Sequence, residues 1–337
     1  MKPWGPLEWL LAKTPRDGLR RVVLGCVGAE ERSVEVPRLL RGAGGANLHL
    51  FTVTDPPSRY LSRIQEKTEE HRSMLISAGV AEALDAKAAS LFALDDEIAG
   101  IFRSIGSESE ATELWLDITS MPKRFFFLLV KLALNAQWVS SLFVTYTQPA
   151  PGRYTREHLS EDPEIPQPLP GFGPLAEETD RLVVAIGFEP LGLAQLLGDY
   201  REKKREIFFL VPFPPGQPYS RRVWDTIRNV GFPGEKRVRR IPALDMFATV
   251  ETIGALIPPT GASRVALAPY GPKPISLGMC VYAIRSGAAV FYTQPRVYHP
   301  DYTVGIGSTW AYCLRLLGRD MLLDRLAETS DQPKVVD

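Results

Sequence analysis

The chain has 337 residues, 45% of them hydrophobic, enough to fill two cores of ordinary domain size. Its 39 Lys and Arg balance 39 Asp and Glu, so no overall field favours duplex nucleic acid or an anionic membrane, and any polyanion site must be local. Three scattered cysteines, Cys26, Cys280 and Cys313, lack metal-ligand spacing, which argues against zinc and suits buried thiols in a reducing, cytoplasmic compartment.

In chain order, the N-terminal MKPWGPLEWLLAKTPRDG is too short and too interrupted in its apolar run for a secretory signal. Short apolar runs then predict strands near 21–27, 48–54, 88–92, 113–118 and 141–147, with helical segments between them. Over Ser58 to Gly79 the spacing predicts a helix with Leu61, Ile64, Met74 and Leu75 inward and Gly79 as its stop. The most apolar window, RFFFLLVKLALNAQWVSSLFV, is broken by Lys131, Asn135 and Gln137 and reads as a buried helix and a strand, not a membrane span. Residues 151–179 are dense in Pro and charge and read as a linker. Further strands are predicted near 181–187, 206–212, 238–242, 264–269 and 288–294, then a closing amphipathic helix from Ser308 to Ala327 on the second half and a frayed tail after Glu328.

The two halves echo one another. Tyr-Thr-Gln-Pro occurs at Tyr146 to Pro149 and at Tyr292 to Pro295. Ala93-Leu94-Asp95 recurs as Ala243-Leu244-Asp245, and each Asp precedes a Pro-Lys pair, Pro122-Lys123 or Pro272-Lys273, by 27 residues. Ser58-Arg59 and Ser220-Arg221 each follow the second predicted strand. Such collinear order points to internal duplication. The expected fold class is therefore α/β, with two tandem Rossmann-like repeats related by a pseudo-two-fold axis. Each is a mainly parallel sheet covered by helices, the first over 1–150 and the second over 180–337.

The richest stretch for chemistry is LWLDITSMPKRFFFLLVKLAL, a strand that turns into a helix. In open parallel sheets ligands sit beyond the carboxyl ends of strands, where this turn lies. Thr119 or Ser120 can cap the helix and Pro122 suits its first turn. Lys123 and Arg124 do not suit it, because cations there oppose the helix dipole unless an anion joins them. Lys273 repeats the arrangement in LAPYGPKPISLG, with Tyr270 beside it and Gly271 allowing close approach of a ligand to the backbone. Arg59 and Arg221 can fork onto phosphate, Tyr146 and Tyr292 can stack, with Tyr154 and Tyr298 downstream, and Asp117 ends the fourth strand. Each has a plainer reading, as a surface arginine, a packed ring or a turn-forming carboxylate.

Gly25 and Gly28 lack the third glycine of a dinucleotide fingerprint, and no P-loop, nucleophile elbow, HExxH or CxxC is present, so no cofactor and no metal are expected. The histidines, His49, His71, His158 and His299, stand far apart without a neighbouring nucleophile.

The strand followed by Asp-x-Thr, a short turn and a helix-initial Lys, DITSMPK at Asp117 to Lys123, resembles the ligand loop of CARF domains, Rossmann-like sensors of cyclic oligoadenylate. Those sensors carry a glycine-rich turn where Ser120-Met121-Pro122 stands here. Two such folds in one chain are similar to SAVED domains and two-CARF effectors. The resemblance implies a composite pocket where the carboxyl edges of the halves meet, holding a signalling nucleotide of antiviral defence, with a separate effector chain as a partner. The expected function is a sensor module that clamps a nucleotide or other phosphorylated small molecule. One rival is an enzyme acting on a nucleotide or sugar phosphate, with Asp117 as base or nucleophile and Asp95, Asp96 or Glu97 as a second acid. The other is a protein-interaction scaffold.

Overall fold

The computed structural model describes residues 3–14, 18–43, 45–80, 88–106, 110–151, 160–173, 179–187, 190–202, 206–214, 220–229, 237–257, 265–301 and 303–322. The first elements are β1 (Trp4–Pro6), α1 (Leu7–Lys13), β2 (Arg20–Val27), a 3-10 turn (Glu31–Val34), α2 (Glu35–Gly42), β3 (Asn47–Thr54), α3 (Leu61–Ser77) and β4 (Ala88–Ser90). Next come α4 (Asp95–Arg103), β5 (Thr112–Asp117), α5 (Lys123–Asn135), β6 (Val139–Pro149), β7 (Ser160–Pro163) and β8 (Gln167–Pro168). The second half holds β9 (Arg181–Ala185), α6 (Leu193–Glu202), β10 (Glu206–Phe213), α7 (Ser220–Asn229), β11 (Val238–Pro242), α8 (Met246–Leu256), β12 (Val265–Pro269) and α9 (Lys273–Ser286). It closes with β13 (Ala289–Tyr292), β14 (Pro295–Tyr298), β15 (Ile306–Leu316) and β16 (Arg319–Asp320).

The chain is a mixed α/β protein with mainly parallel sheets flanked by helices. The parallel part of the first sheet runs β4-β3-β2-β5-β6 and that of the second runs β11-β10-β9-β12-β13. Both therefore place their third, second, first, fourth and fifth strands in the same spatial order. Strands buried on both faces read as continuous apolar runs, and alternate residues serve different cores. Along β2, Val22, Leu24 and Cys26 face a core shared by both halves, whereas Val23 and Val27 face an outer core with α1 and α2.

The shared core is built on α5 and α9. Phe125 to Val130 of α5 and Pro274 to Ala283 of α9 are buried, so both helices are apolar all round, as helices with protein on every side must be. They pack with α4 and α8 between the two sheets, and the Cys280 thiol of α9 donates to the Phe127 carbonyl of α5. Gly278 lets α8 approach α9, since a Cβ there would lie 2.5 Å from the Met246 carbonyl oxygen. The outer face of the second sheet is covered by α6 and α7.

Three expectations need correction. Residues 306–316 form a strand, not a closing helix, and the strand joins the first sheet, antiparallel to β6 on one side and β1 on the other. A period-two alternation is the reason: Tyr312 and Leu314 enter the shared core, while Ala311 and Cys313 enter the outer one. The supposed linker also carries structure, since β7 pairs with β14 and β8 with β13. Within α3, Ile64 and Leu75 are buried as expected but Met74 is exposed, and His71 takes the inward place, its Nδ1 within 2.8 Å of the Gly28 carbonyl. All three cysteines are buried free thiols. No helix among the described residues is long and apolar enough to cross a membrane.

Candidate functional site

In an open parallel sheet the ligand crevice lies where strand order reverses. Those points fall between β2 and β5 in the first sheet and between β9 and β12 in the second. Loops leaving all four strands line one cavity of about 810 Å3, through Gly28, Ser120, Lys123, Gly187, Gly271 and Lys273. Gly187 allows the loops after β9 and β12 to close together, because a Cβ on it would lie 2.4 Å from the Tyr270 carbonyl oxygen.

The helices α5 and α9 begin at this cavity. Each has a proline, Pro122 or Pro272, at its N-cap and no side-chain cap, so no capping side chain occupies the first-turn N–H groups. Thr119 and Ser120 do not serve as caps, contrary to expectation: the Thr119 hydroxyl donates to Asp117, and that of Ser120 to the Cys26 carbonyl.

The two lysines cross over. Lys123 Nζ donates to the Pro269 carbonyl and, at 3.0 Å, to that of Gly271, at the end of the opposite sheet. Lys273 Nζ donates to the Thr119 carbonyl at 2.5 Å. Both ammoniums are enclosed by protein, with part of their surface open to the cavity. Burial, reinforced by the charge of Lys273, lowers the Lys123 pKa to about 7. Burial also lowers that of Lys273 to about 8; Glu30 and Asp117 oppose the shift and Arg32 adds to it. An anion between them would relieve this penalty.

Aromatic groups line the rest. Tyr146 and Tyr292, from the two Tyr-Thr-Gln-Pro segments, and Tyr270 and Tyr298 all reach the cavity. Tyr292 lies under Lys123, 4.9 Å from its ring centre, and 5.5 Å from the Tyr270 ring. The Tyr270 hydroxyl pairs with Thr293 Oγ1 at 2.8 Å, and burial pushes its pKa up to about 12.

Of the residues expected at the site, the structure thus brings Ser120, Lys123, Tyr146, Tyr270, Gly271, Lys273 and Tyr292 together. Others lie elsewhere. Arg59 is exposed and pairs with Glu161, since its helix start faces the β7 segment. Arg124 points away, donating to the Ala93 carbonyl. Asp117 and Thr119 sit behind the turn. Asp117 Oδ1 accepts from Thr119 N at 3.1 Å, from the Thr119 hydroxyl and from Thr145 Oγ1 at 3.3 Å, and burial raises its pKa to about 6. A carboxylate so occupied organises the β5 turn rather than facing a substrate. Asp95 and Glu97 are likewise bound to backbone, at Gly171 N and Ser90 N. The side chain of Arg221, and Tyr154 and His158, lie outside the described residues.

Sequence reasoning missed Glu30, Arg32 and Asp55, all on the cavity wall. Arg32 is buried, paired with Glu30 at 2.5 Å and donating to the Thr147 carbonyl at 2.8 Å. The signal was available: the charged run GAEERS follows the first strand, on the other side of the same switch point as Asp117 to Lys123. Among the described residues no group of three or more His, Cys, Asp or Glu could hold a metal ion.

No protein-family model and no curated protein matches the sequence. Among solved structures, similarity is found to a functionally unknown protein from Pseudomonas aeruginosa PAO1, at 12% identity and TM-score 0.24, covering 82% of this chain and 93% of that one. A putative universal stress protein from Pseudomonas aeruginosa matches at 11% identity and TM-score 0.23, covering 82% and 94%. Phosphoethanolamine N-methyltransferase 1 from Haemonchus contortus matches at 6% identity and TM-score 0.22, covering 90% and 89%.

Proposed function

We propose that the protein is a binding module that holds a phosphorylated small molecule, a nucleotide by the chemistry of the walls, in the cavity between its two α/β halves. The observation that carries this reading is the pair Lys123 and Lys273. Two enclosed ammoniums stand on one cavity wall, each at the start of an uncapped helix, with charges that disfavour one another. A phosphate would supply the missing negative charge and accept from the helix N–H groups. The volume, about 810 Å3, lies within the range of small-molecule sites, and the four tyrosines offer faces for a base.

Asp117, engaged behind its turn, favours binding over turnover. The resemblance of DITSMPK to the CARF ligand loop extends the reading to a signalling nucleotide, sensed on behalf of a separate effector in antiviral defence. The lysines also bridge the halves, so an anion that recruits them would alter the junction, as a sensor requires.

Thermal unfolding against a panel of linear and cyclic nucleotides, sugar phosphates and inorganic phosphate tests the reading. A ligand at 100 times its Kd stabilises by about 2.7 kcal/mol. A shift with phosphorylated compounds that the Lys123→Met, Lys273→Met double variant loses is the expected result. No shift with any of them would overturn the proposal and favour a scaffold.

A further inference from the structure

Asp55 follows β3, the second strand of the first half, and stands on the cavity wall. No hydrogen bond or ion pair among the described residues engages its carboxylate. A half-buried carboxylate without donors is costly. Burial alone lifts its pKa to about 6. Its charge is felt at Cys26, where that of Lys273 is felt more strongly, and at Tyr298, where that of Glu30 is felt as well, whereas the acids acting on Lys273 are Glu30 and Asp117. A smaller cleft reaches Asp55 from the side of Arg296, but that guanidinium pairs with Glu164 at 3.4 Å.

The cavity thus has a cationic region, where α5 and α9 begin, and a separate acceptor with nothing to accept. An occupant that suits both carries an anion at one end and neutral hydrogen-bond donors at the other. A cationic group at Asp55 would face the two lysines across the same space, and among the described residues no group of three or more His, Cys, Asp or Glu could hold a metal ion. Two adjacent hydroxyls match the two oxygens of one carboxylate. Position agrees: Asp55 follows the second parallel strand of the first sheet, and in nucleotide-binding βαβ folds an acid there is the one that meets ribose hydroxyls, although Gly25 and Gly28 make no complete glycine fingerprint here.

We propose that Asp55 accepts hydrogen bonds from the paired hydroxyls of a ribose, so that the cavity takes ribonucleotides in preference to deoxyribonucleotides. This assignment rests on the phosphate site proposed above.

Calorimetric titration with AMP, 2′-deoxy-AMP, ribose 5-phosphate, 2-deoxyribose 5-phosphate and inorganic phosphate, on the native chain and on Asp55→Asn, separates the two. Each ribo compound is expected to bind about tenfold or more tighter than its deoxy partner, the scale of a hydrogen bond to a charged group. Asp55→Asn, which keeps one acceptor oxygen but loses the charge and the second oxygen, is expected to cut that preference to about threefold or less and not to weaken inorganic phosphate binding, which also certifies that the variant is folded. Equal affinities for ribo and deoxy compounds would overturn the sugar assignment and leave the phosphate site standing. Discrimination that Asp55→Asn does not alter would overturn it too, as would an Asp55-dependent loss seen with AMP but not with ribose 5-phosphate, which would assign the carboxylate to an amino group of the base. If no phosphate compound binds, both proposals fall.

Discussion

Lys123 and Lys273 reach past one another across the junction of the two sheets, each donating to carbonyls at the tip of the other half's fourth strand. The exchange is reciprocal without being identical, since Lys123 engages two carbonyls, of Pro269 and Gly271, and Lys273 one, of Thr119. Both lysines bind protons less well when folded than when unfolded, with pKa values of about 7 and about 8 against 10.5 for the free side chain. Between these values the unfolded chain holds more protons, so stability rises with pH. The ligand-free protein is expected to gain about 1 to 2 kcal/mol between pH 7 and 8.5, cavity water lessening the burial penalty. Urea unfolding at the two pH values measures the gain, and Lys123→Met should remove much of it. A flat profile would mean that the lysines are solvated like surface residues.

Anion binding should run the other way. A phosphate beside the two ammoniums raises their pKa values, so the complex takes up protons when it forms above about pH 7. Affinity for a phosphomonoester is expected to be greatest near pH 6.5, where it is largely dianionic and the lysines are mostly charged, and to fall about tenfold or more by pH 9. Titrations in two buffers of different ionisation enthalpy count the protons. Proton release would contradict the lysine site.

Asp117 separates binding from catalysis. Its Oδ1 holds the β5 turn through Thr119 and Thr145, and an asparagine oxygen can accept the same bonds. Asp117→Asn is therefore expected to change ligand affinity by less than about threefold, whereas Asp117→Ala strands buried donors and destabilises by about 1 to 3 kcal/mol. If Asp117→Asn instead removed a measurable turnover of nucleotide while sparing affinity, the enzyme reading would be right.

The α/β class and the strands of both halves were legible in the sequence because buried parallel strands leave continuous apolar runs such as RRVVLGCV and VALAP. The repeated Ala-Leu-Asp marks the starts of α4 and α8, at the same topological place in each half, and the parallel strands of the two sheets share one order. Lys123, Lys273 and the tyrosines were legible because the turns after the fourth strands and the repeated Tyr-Thr-Gln-Pro fall at the carboxyl edges of the sheets, where the crevice lies. Arg59 and Arg124 were misassigned because a long side chain at a helix start can turn toward either side, and here Glu161 and the Ala93 carbonyl decide. Residues 306–316 were misread because Ser308 to Leu316 also satisfies a helical stripe, and their true partner, β6, lies some 160 residues earlier, a pairing that no local pattern encodes.

Gly187 supplies a test of the junction that needs no knowledge of the ligand's identity beyond its phosphate. A methyl group there would lie 2.4 Å from the Tyr270 carbonyl oxygen, which is backbone and cannot rotate aside, so the loops after β9 and β12 would have to part. Those loops carry Gly271 and lead into Lys273, whose partner is Thr119 across the cavity. Gly187→Ala is expected to cost about 1 to 3 kcal/mol of stability by overpacking and to weaken phosphate binding as the lysines lose register. The control is Gly254, exposed in α8 with nothing within 4 Å of an added Cβ. Gly254→Ala is expected to stabilise by about 0.5 to 1 kcal/mol through helix propensity and to leave binding unchanged. Opposite signs in urea unfolding, with binding altered only by Gly187→Ala, would tie the close approach of the β9 and β12 loops to the site. Loss of stability at Gly187 with unaltered phosphate affinity would mean that the close approach serves the fold alone.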